Sequence, residues 1–287
     1  MIVVTGASGH LGQLIVRHLL ARVPANQLGV SVRYPERVRK FRADGIRVRR
    51  ANYDDASSLT KAFAGATQLL LVSSNAQAYG GDPLSQHRNA IDAAKEAGVG
   101  RIVYTSHMAA SPTSKFLPMH THASTENMLA GSGMKWVALR NGFYASSALR
   151  EIGAALPLGM MELPEDGRVA WTGHDDLAEC AATILTSDNH IDGPTPPLTA
   201  TQAFDFSEVA EIASCVLGRS IQRMVVSDTA MVKRLAARRL PVKVQELAMS
   251  FYAASRAGEF SCVAPALSQL LGREPQSFAA IVKAVFS

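Results

Sequence analysis

Near its start the chain reads Ile2-Val-Val-Thr-Gly6-Ala-Ser-Gly9-His-Leu-Gly12, an apolar run followed by glycines at every third position. The β-branched run predicts a strand, and the amphipathic stretch Leu11–Ala21 behind it predicts a helix. In such a unit the first glycine permits the tight turn, the second lets the backbone approach a diphosphate, and the third lets helix and strand pack closely. An ordinary tight turn would need only one of them. The residues expected to bind a dinucleotide here are Gly6, Ser8, Gly9, His10, Leu11 and Gly12.

Short apolar runs and amphipathic stretches continue to alternate through the first 140 residues. Strands are predicted at Ile2–Thr5, Leu28–Val32, Ile46–Arg49, Leu69–Ser73, Arg101–Thr105 and Trp136–Leu139. Between them, helices are predicted at Ser57–Phe63, Ser85–Ala97 and Ala123–Ala130. This alternation, together with the glycine loop, favours an α/β fold with a Rossmann-type doubly wound parallel sheet.

Beyond Arg140 the pattern changes and becomes mainly helical. Asp175 and Asp176 open one more helix, Leu177–Leu185, and Gly193-Pro-Thr-Pro-Pro197 indicates a loop or linker. We therefore expect a dinucleotide-binding domain over residues 1–140, with a returning helix near 175–186. A smaller, mainly helical C-terminal substrate or lid domain is expected over 141–287.

The composition limits the function classes. The 287 residues are 47% hydrophobic and 18% charged, without an apolar run of about 18 residues or a signal sequence, so a cytoplasmic protein with no membrane partner is predicted. The formal charge of +5 comes from dispersed basic residues, and no nucleic-acid partner is expected. Cys180, Cys215 and Cys262 are too few and too widely spaced for a disulfide framework or a metal site. The sequence is compatible with a homodimer and equally with a monomer.

The residue after the second predicted strand indicates which dinucleotide is bound. NAD-selective sites place Asp or Glu about 20 residues beyond the loop, whereas this chain has Arg33, with Arg37 and Lys40 nearby. A guanidinium suits the 2′-phosphate of NADPH, because it can make bidentate, charge-assisted hydrogen bonds. The alternative is a solvated arginine at a strand end.

With these features the chain resembles the NmrA-like atypical short-chain dehydrogenases, and among them the type 2 NADPH:quinone oxidoreductases and the triphenylmethane reductases. The resemblance runs nearly end to end. It depends on the glycine loop and on Gln86-His-Arg-Asn89, Ala94-Lys-Glu-Ala-Gly-Val99, Tyr104-Thr-Ser106, His122-Ala-Ser-Thr-Glu126 and Leu139-Arg-Asn-Gly-Phe-Tyr144.

A catalytic Tyr-x-x-x-Lys pair, which typical short-chain dehydrogenases use for acid–base catalysis, is missing. None of the six tyrosines has lysine four residues later. Where the pair would lie, the chain has His122 and Glu126, one helical turn apart; His122 could donate a proton or hydrogen bond to a quinone while Glu126 orients it, or the two could be structural. Together with His120 they are a weak alternative as metal ligands; no metal is expected.

The resemblance also implies the remaining site residues. The loop with Asn141, Gly142 and Tyr144 would border the nicotinamide and the substrate, where Tyr144 could stack on or hydrogen-bond an aromatic acceptor or be an ordinary half-buried aromatic. The cofactor is further expected to meet Tyr53 and Asp54 near the adenine, Ser73, Ser74 and Asn75 after the fourth strand, and Thr105 and Ser106 after the fifth. Relatives carry Asp where this chain has Asn52.

Two functions follow from the resemblance. The first is an NADPH-dependent reductase that transfers hydride directly to a quinone or a similar conjugated acceptor, with proximity as its chief catalytic device. The second is a non-catalytic NADP(H)-sensing regulatory protein of the NmrA type.

Overall fold

The computed structural model describes residues 1–187 and 191–287. Its strands are β1 (Ile2–Thr5), β2 (Leu28–Val32), β3 (Arg47–Arg50), β4 (Gln68–Leu71), β5 (Arg101–His107), β6 (Lys135–Asn141), β7 (Met160–Pro164), β8 (Gly193–Pro194) and β9 (Gln222–Val226). Its helices are α1 (His10–Leu20), α2 (Arg39–Ala43), α3 (Ala56–Phe63), α4 (Pro83–Glu96), α5 (Pro118–Ala130), α6 (Ala145–Ala155), α7 (His174–Thr186), α8 (Phe206–Leu217), α9 (Asp228–Ala237), α10 (Val242–Arg256), α11 (Ala266–Leu271) and α12 (Phe278–Phe286). Short 3₁₀ turns cover Ala25–Gln27, Pro35–Val38 and Ala76–Tyr79.

The main sheet has the strand order β3-β2-β1-β4-β5-β6-β8. The pairs β1–β2, β1–β4, β2–β3, β4–β5 and β6–β8 are parallel. The winding reverses between β1 and β4, and ligands of doubly wound folds bind at the carboxyl ends of the strands beside such a reversal. The predicted Rossmann-type sheet is confirmed.

The chain divides into two compact units. The first comprises residues 1–106, 121–140 and 177–195. Its core packs α3 and α4 on buried strands, and Leu69 and Leu71 of β4 are completely buried. Burial of such a side chain contributes about 1.5–3 kcal/mol to the stability of the fold. The apolar strands therefore stabilise the sheet to which the glycine loop is attached.

The second unit comprises residues 107–120, 141–176 and 196–287. It is mainly helical and has its own core, in which Trp171, Phe206 and Phe260 are almost fully buried. Asp205 and Glu208 form a capping box at the start of α8, which satisfies backbone N–H groups of its first turn. The predicted functional division at residue 140 stays a prediction.

One local prediction was wrong, and two strands were not predicted. Gly193 and Pro194, assigned to a linker, form β8, whose register is Val137 with Gly193; proline is tolerated there because β8 is an edge strand. The second unit also contains β7 and β9, which pair in parallel and were not predicted. Their local sequences give little strand signal, because β9 is half-exposed and its partner lies about 60 residues away in the chain.

Within the described ranges, no helix combines the length and apolar character that a membrane span requires.

Candidate functional site

The glycine loop joins β1 to α1 in the first unit. Gly6 has φ +60°, a conformation that favours glycine, and its carbonyl accepts a hydrogen bond from Gly9 N at 2.9 Å. A Cβ on Gly12 would lie 2.5 Å from the Gly6 oxygen, so the start of the helix contacts the loop backbone directly. Helix α1 begins without a side-chain cap or an acidic residue in its first turn, an arrangement that suits a bound diphosphate.

Arg33 directly follows β2, and Arg37 lies in the next 3₁₀ turn. Both side chains are exposed, and both guanidiniums contact the ring of Tyr34, at 5.9 and 5.0 Å from its centre. The structure therefore brings together the two arginines predicted to recognise a 2′-phosphate.

The Tyr53 side chain connects the loop after β3 to two strands. Its hydroxyl lies 2.6 Å from Thr5 Oγ1 and 2.7 Å from the Val72 carbonyl, and burial raises its pKa. Asp54 accepts a hydrogen bond from Gln86 Nε2 at 2.8 Å. The Tyr53 hydroxyl therefore links the ends of β1 and β4 by hydrogen bonds. The predicted contact of Tyr53 and Asp54 with adenine stays a prediction.

The residues after β4 are held by side chains from other elements. Thr105 Oγ1 accepts from Ser73 N at 2.8 Å, and His87 Nε2 accepts from Ser74 N at 2.8 Å. Because Nε2 is the acceptor, Nδ1 of the neutral ring carries the proton and donates to Thr125 Oγ1 at 2.8 Å. Burial lowers the pKa of His87 to about 3, so the ring stays neutral and serves to position the loop. Asn75 begins the following 3₁₀ turn.

Ser106, Glu126 and Arg140 form a hydrogen-bonded group at the carboxyl ends of β5 and β6. Ser106 Oγ donates to Glu126 Oε1 at 2.6 Å, and Arg140 donates through Nε and Nη2 at 3.2 and 2.7 Å. Ser106 and Glu126 are 2% and 6% exposed. The single proton of the Ser106 hydroxyl is thus committed to the carboxylate, so this serine can accept but not donate a further hydrogen bond.

His122 lies on α5, as Glu126 does, but its partner is on β5. Its Nδ1 lies 2.9 Å from the hydroxyl of the fully buried Tyr104. Desolvation lowers the pKa of His122 to about 4, so the imidazole is neutral at physiological pH. A neutral ring can donate a hydrogen bond but carries no imidazolium proton. Of the two predicted roles of His122, this state favours hydrogen-bond donation over proton donation.

His120 contacts the Ser114 carbonyl through Nε2 at 2.7 Å. In the part of the chain that the structure describes, no three side chains of the His, Cys, Asp or Glu type come together as a metal site.

In the second unit, the segment after β6 is fixed by backbone hydrogen bonds. Gly142 N donates to the Leu198 carbonyl at 2.7 Å, and a Cβ on Gly142 would lie 2.2 Å from Thr172 Oγ1. The Asn141 side chain opposes the effect of burial on the pKa of Tyr144, and its buried Oδ1 accepts no hydrogen bond from the described residues.

Burial raises the pKa of Tyr144, so its hydroxyl remains protonated at neutral pH. Its ring lies 4.2 Å from the ring of His174, centre to centre. Tyr144 can therefore act as a hydrogen-bond donor.

An aromatic cluster surrounds Phe143 in the second unit. The ring centres of its neighbours lie 4.9–5.7 Å away; they are Phe260, Phe251, His107, Trp171 and Phe116. His107, Phe116, Phe143 and Phe251 are only partly buried, and Phe260 is completely buried. Such a surface suits a flat, apolar ring, because aromatic rings pack edge to face or offset on one another.

Arg140, His87 and Phe143 were not predicted as functional residues, although each lies within a motif that carries the resemblance. A charged residue at the end of an apolar strand was the available signal for Arg140. The partners of His87 and Phe143 lie on distant segments of the chain, so no local pattern indicates their roles.

Comparisons with known proteins agree with this geometry. Residues 6–188 match a family model described as NAD(P)H-binding. The chain is 35% identical to quinone oxidoreductase 2 of Escherichia coli K12, over 100% of this chain and 99% of that protein. It is 25% identical to an NAD(P)H azoreductase of Xenophilus azovorans, over 99% and 97% of the two chains.

Solved structures show the same similarity. The Escherichia coli NADPH-dependent quinone oxidoreductase complexed with NADPH superposes with a TM-score of 0.92 at 35% identity, and each chain is covered completely. The Citrobacter sp. triphenylmethane reductase complexed with NADP(H) gives a TM-score of 0.91 at 32% identity, again with complete coverage of both.

Proposed function

Because the chain belongs to the NAD(P)H-binding family, we propose that it is an NADPH-dependent reductase that transfers hydride directly to a quinone or a similar conjugated acceptor. The full-length similarity to a quinone oxidoreductase carries the proposal. The predicted resemblance to the quinone oxidoreductases and triphenylmethane reductases is confirmed by the same relatives.

The chain's own residues fit the cofactor. The space between Gly6 and Gly12 leaves no room for a Cβ, which is typical of a backbone cradle for a diphosphate. Arg33 and Arg37 provide two guanidiniums for the 2′-phosphate. When bound, NADPH supplies a hydride, so that NADPH, a quinone and one proton give NADP⁺ and a hydroquinone.

The acceptor class follows from the chemistry that the residues support. Without a Tyr-x-x-x-Lys pair, and with the Ser106 proton held by Glu126, the chain is poorly equipped to protonate an unactivated carbonyl. A quinone needs less help, because its reduction places charge on oxygens conjugated to an aromatic ring. The cluster around Phe143 offers the aromatic surface for such a ring.

Tyr144 is the candidate hydrogen-bond donor to the acceptor oxygen. Burial raises its pKa, so the hydroxyl keeps its proton and can donate it in a hydrogen bond. His122 is a second candidate, as a neutral hydrogen-bond donor. The remaining catalytic contribution would be proximity in a site from which water is excluded.

The test is NADPH oxidation against a panel of quinones and cationic triarylmethane dyes, together with a binding titration of NADPH and NADH. Turnover with at least one class is expected, and Arg33→Glu should weaken NADPH much more than NADH. NADPH binding without turnover on any acceptor would contradict the reductase and favour the NADP(H) sensor. Equal losses for both cofactors would contradict the role of Arg33.

The remaining sequence predictions concern partners and location. A small aromatic acceptor as the partner and a cytoplasmic location belong to the same proposal. Homodimer and monomer are distinguished by light scattering after gel filtration.

A further inference from the structure

Tyr34 is a large aromatic residue with 48% of its surface exposed, next to the predicted 2′-phosphate site. We propose that Tyr34 is a positioning residue for NADPH selectivity, which orients the Arg33 and Arg37 guanidiniums for the 2′-phosphate before the cofactor arrives. The inference rests on the NADPH preference in the proposed function and adds a residue that determines it.

The local backbone places the three side chains together. β2 ends at Val32, so Arg33 and Tyr34 follow at the carboxyl edge of the sheet. The 3₁₀ turn Pro35–Val38 then reverses the chain, and Arg37 N donates to the Tyr34 carbonyl at 3.1 Å. This turn brings the second guanidinium back over the ring that the first one already contacts.

Both contacts have cation–π geometry. The guanidinium carbons of Arg33 and Arg37 lie 5.9 and 5.0 Å from the ring centre of Tyr34. The negative face of the ring attracts each guanidinium, so one side chain holds two positive charges at this end of the strand. A dianionic 2′-phosphate attracts such charges much more strongly than the bare ribose hydroxyl does, so the arrangement favours NADPH.

Preorganisation is the physical advantage. An arginine on the surface samples many rotamers, and ordering it on binding reduces affinity. A ring that already restricts both guanidiniums lowers that cost for NADPH only, because NADH has no phosphate at this position. Glu36 lies within the same turn. Its carboxylate would compete with the phosphate for any arginine that the Tyr34 ring did not hold.

The exposure of Tyr34 separates this role from a structural one. A ring with about half its surface in water contributes little burial energy, so its loss should alter cofactor selectivity more than stability. The hydroxyl takes no part in the contacts between the ring and the two guanidiniums. Phenylalanine at this position should therefore preserve them.

The experiment compares Tyr34→Leu with Tyr34→Phe, by titration of the full chain with NADPH and with NADH. Tyr34→Leu is expected to weaken NADPH by about 3–10-fold and to leave NADH within about 2-fold, as loss of exposed cation–π contacts predicts. Tyr34→Phe should keep the wild-type ratio of NADPH affinity to NADH affinity. Adenosine 2′-monophosphate, used as a competitor, should lose affinity for Tyr34→Leu by a similar factor.

Arg42 lies on the exposed surface of α2, and Arg42→Glu makes the same change of charge as Arg33→Glu. It is the matched control for general electrostatic attraction of the cofactor. A Tyr34→Leu protein with an unchanged NADPH-to-NADH ratio, or a Tyr34→Phe protein that behaves like it, would overturn the inference while Arg33→Glu could still confirm the NADPH preference. If the wild-type chain binds both cofactors equally, the inference and the predicted preference fail together. If Arg42→Glu loses as much NADPH affinity as Arg33→Glu, the loss is a general charge effect, and the assignment of Arg33 to the 2′-phosphate, on which the inference rests, is overturned.

Discussion

The contact between Gly12 and the loop backbone gives a sharp test of the cofactor site. In Gly12→Ala, the new Cβ would lie 2.5 Å from the Gly6 oxygen and 2.9 Å from the Ala7 Cα. Both neighbours are backbone atoms, so the loop must move by at least about 0.5 Å, a displacement comparable to the tolerance of a binding site.

Two energies of opposite sign decide the stability of this variant. Alanine gains up to about 1 kcal/mol over glycine in a helix, whereas forcing a methyl group into a packed position costs about 1–3 kcal/mol. We therefore expect a net destabilisation of up to about 2 kcal/mol in urea denaturation. NADPH affinity should fall by about 10-fold or more, because even one lost hydrogen bond to a charged group costs about 1.5–3 kcal/mol.

The same substitution elsewhere provides the control. In Gly153→Ala, within α6, the new Cβ would meet the Phe286 ring at 3.7 and 3.8 Å, an ordinary contact. That variant should gain about 0.5–1 kcal/mol and bind NADPH normally. Wild-type NADPH affinity in Gly12→Ala would refute the assignment of this loop to the diphosphate.

Acid should destabilise the folded chain, because burial lowers the pKa of His122 to about 4 and that of His87 to about 3 from 6.5. Both contributions are complete above pH 6.5 and are lost as the pH falls toward the folded values, by about 2 kcal/mol each at about pH 5 in urea denaturation; a flat profile over this range would contradict the shifts. Glu126→Gln should cost about 1–3 kcal/mol, because it weakens the hydrogen bonds of a buried carboxylate, whereas Glu211→Gln on an exposed part of α8 should change stability by less than about 0.5 kcal/mol. Tyr144→Phe should reduce kcat for quinones by about 10-fold or more but leave cationic triarylmethane dyes unaffected, since a carbocation takes up hydride without a proton; equal effects in the two assays would exclude hydrogen-bond donation by Tyr144.

The parts of the fold that could be predicted are those with local signals. The glycine spacing and the β-branched runs of β1 and β2 predict strand, turn and helix from neighbouring residues. By contrast, β7 and β9 pair with each other although about 60 residues of chain separate them. Strand β8 contains a proline, which normally indicates a loop. Their strand character comes from the partner strand, which no local window contains.

The same distinction applies to the candidate site. Arg33 could be predicted because its position follows from the length of one β–α–β unit. The group of Ser106, Glu126 and Arg140 could not, since its members come from β5, α5 and β6 and meet only when the sheet is formed. Residue identity suggested that Glu126 orients His122, but the hydrogen bonds of its carboxylate are made with Ser106 and Arg140.

These commitments bear on the choice of acceptor. The hydroxyl of Ser106 donates to Glu126, and the imidazole of His122 is neutral, so neither holds a proton that is readily given to a substrate. Tyr144 keeps its proton, but its raised pKa makes it a weak acid and a hydrogen-bond donor rather than a source of protons. A site of this kind accelerates a reaction whose barrier lies in bringing hydride and acceptor together, not in proton transfer. Acceptors should therefore be ranked by their hydride affinity, with the product protonated by water after it leaves the site.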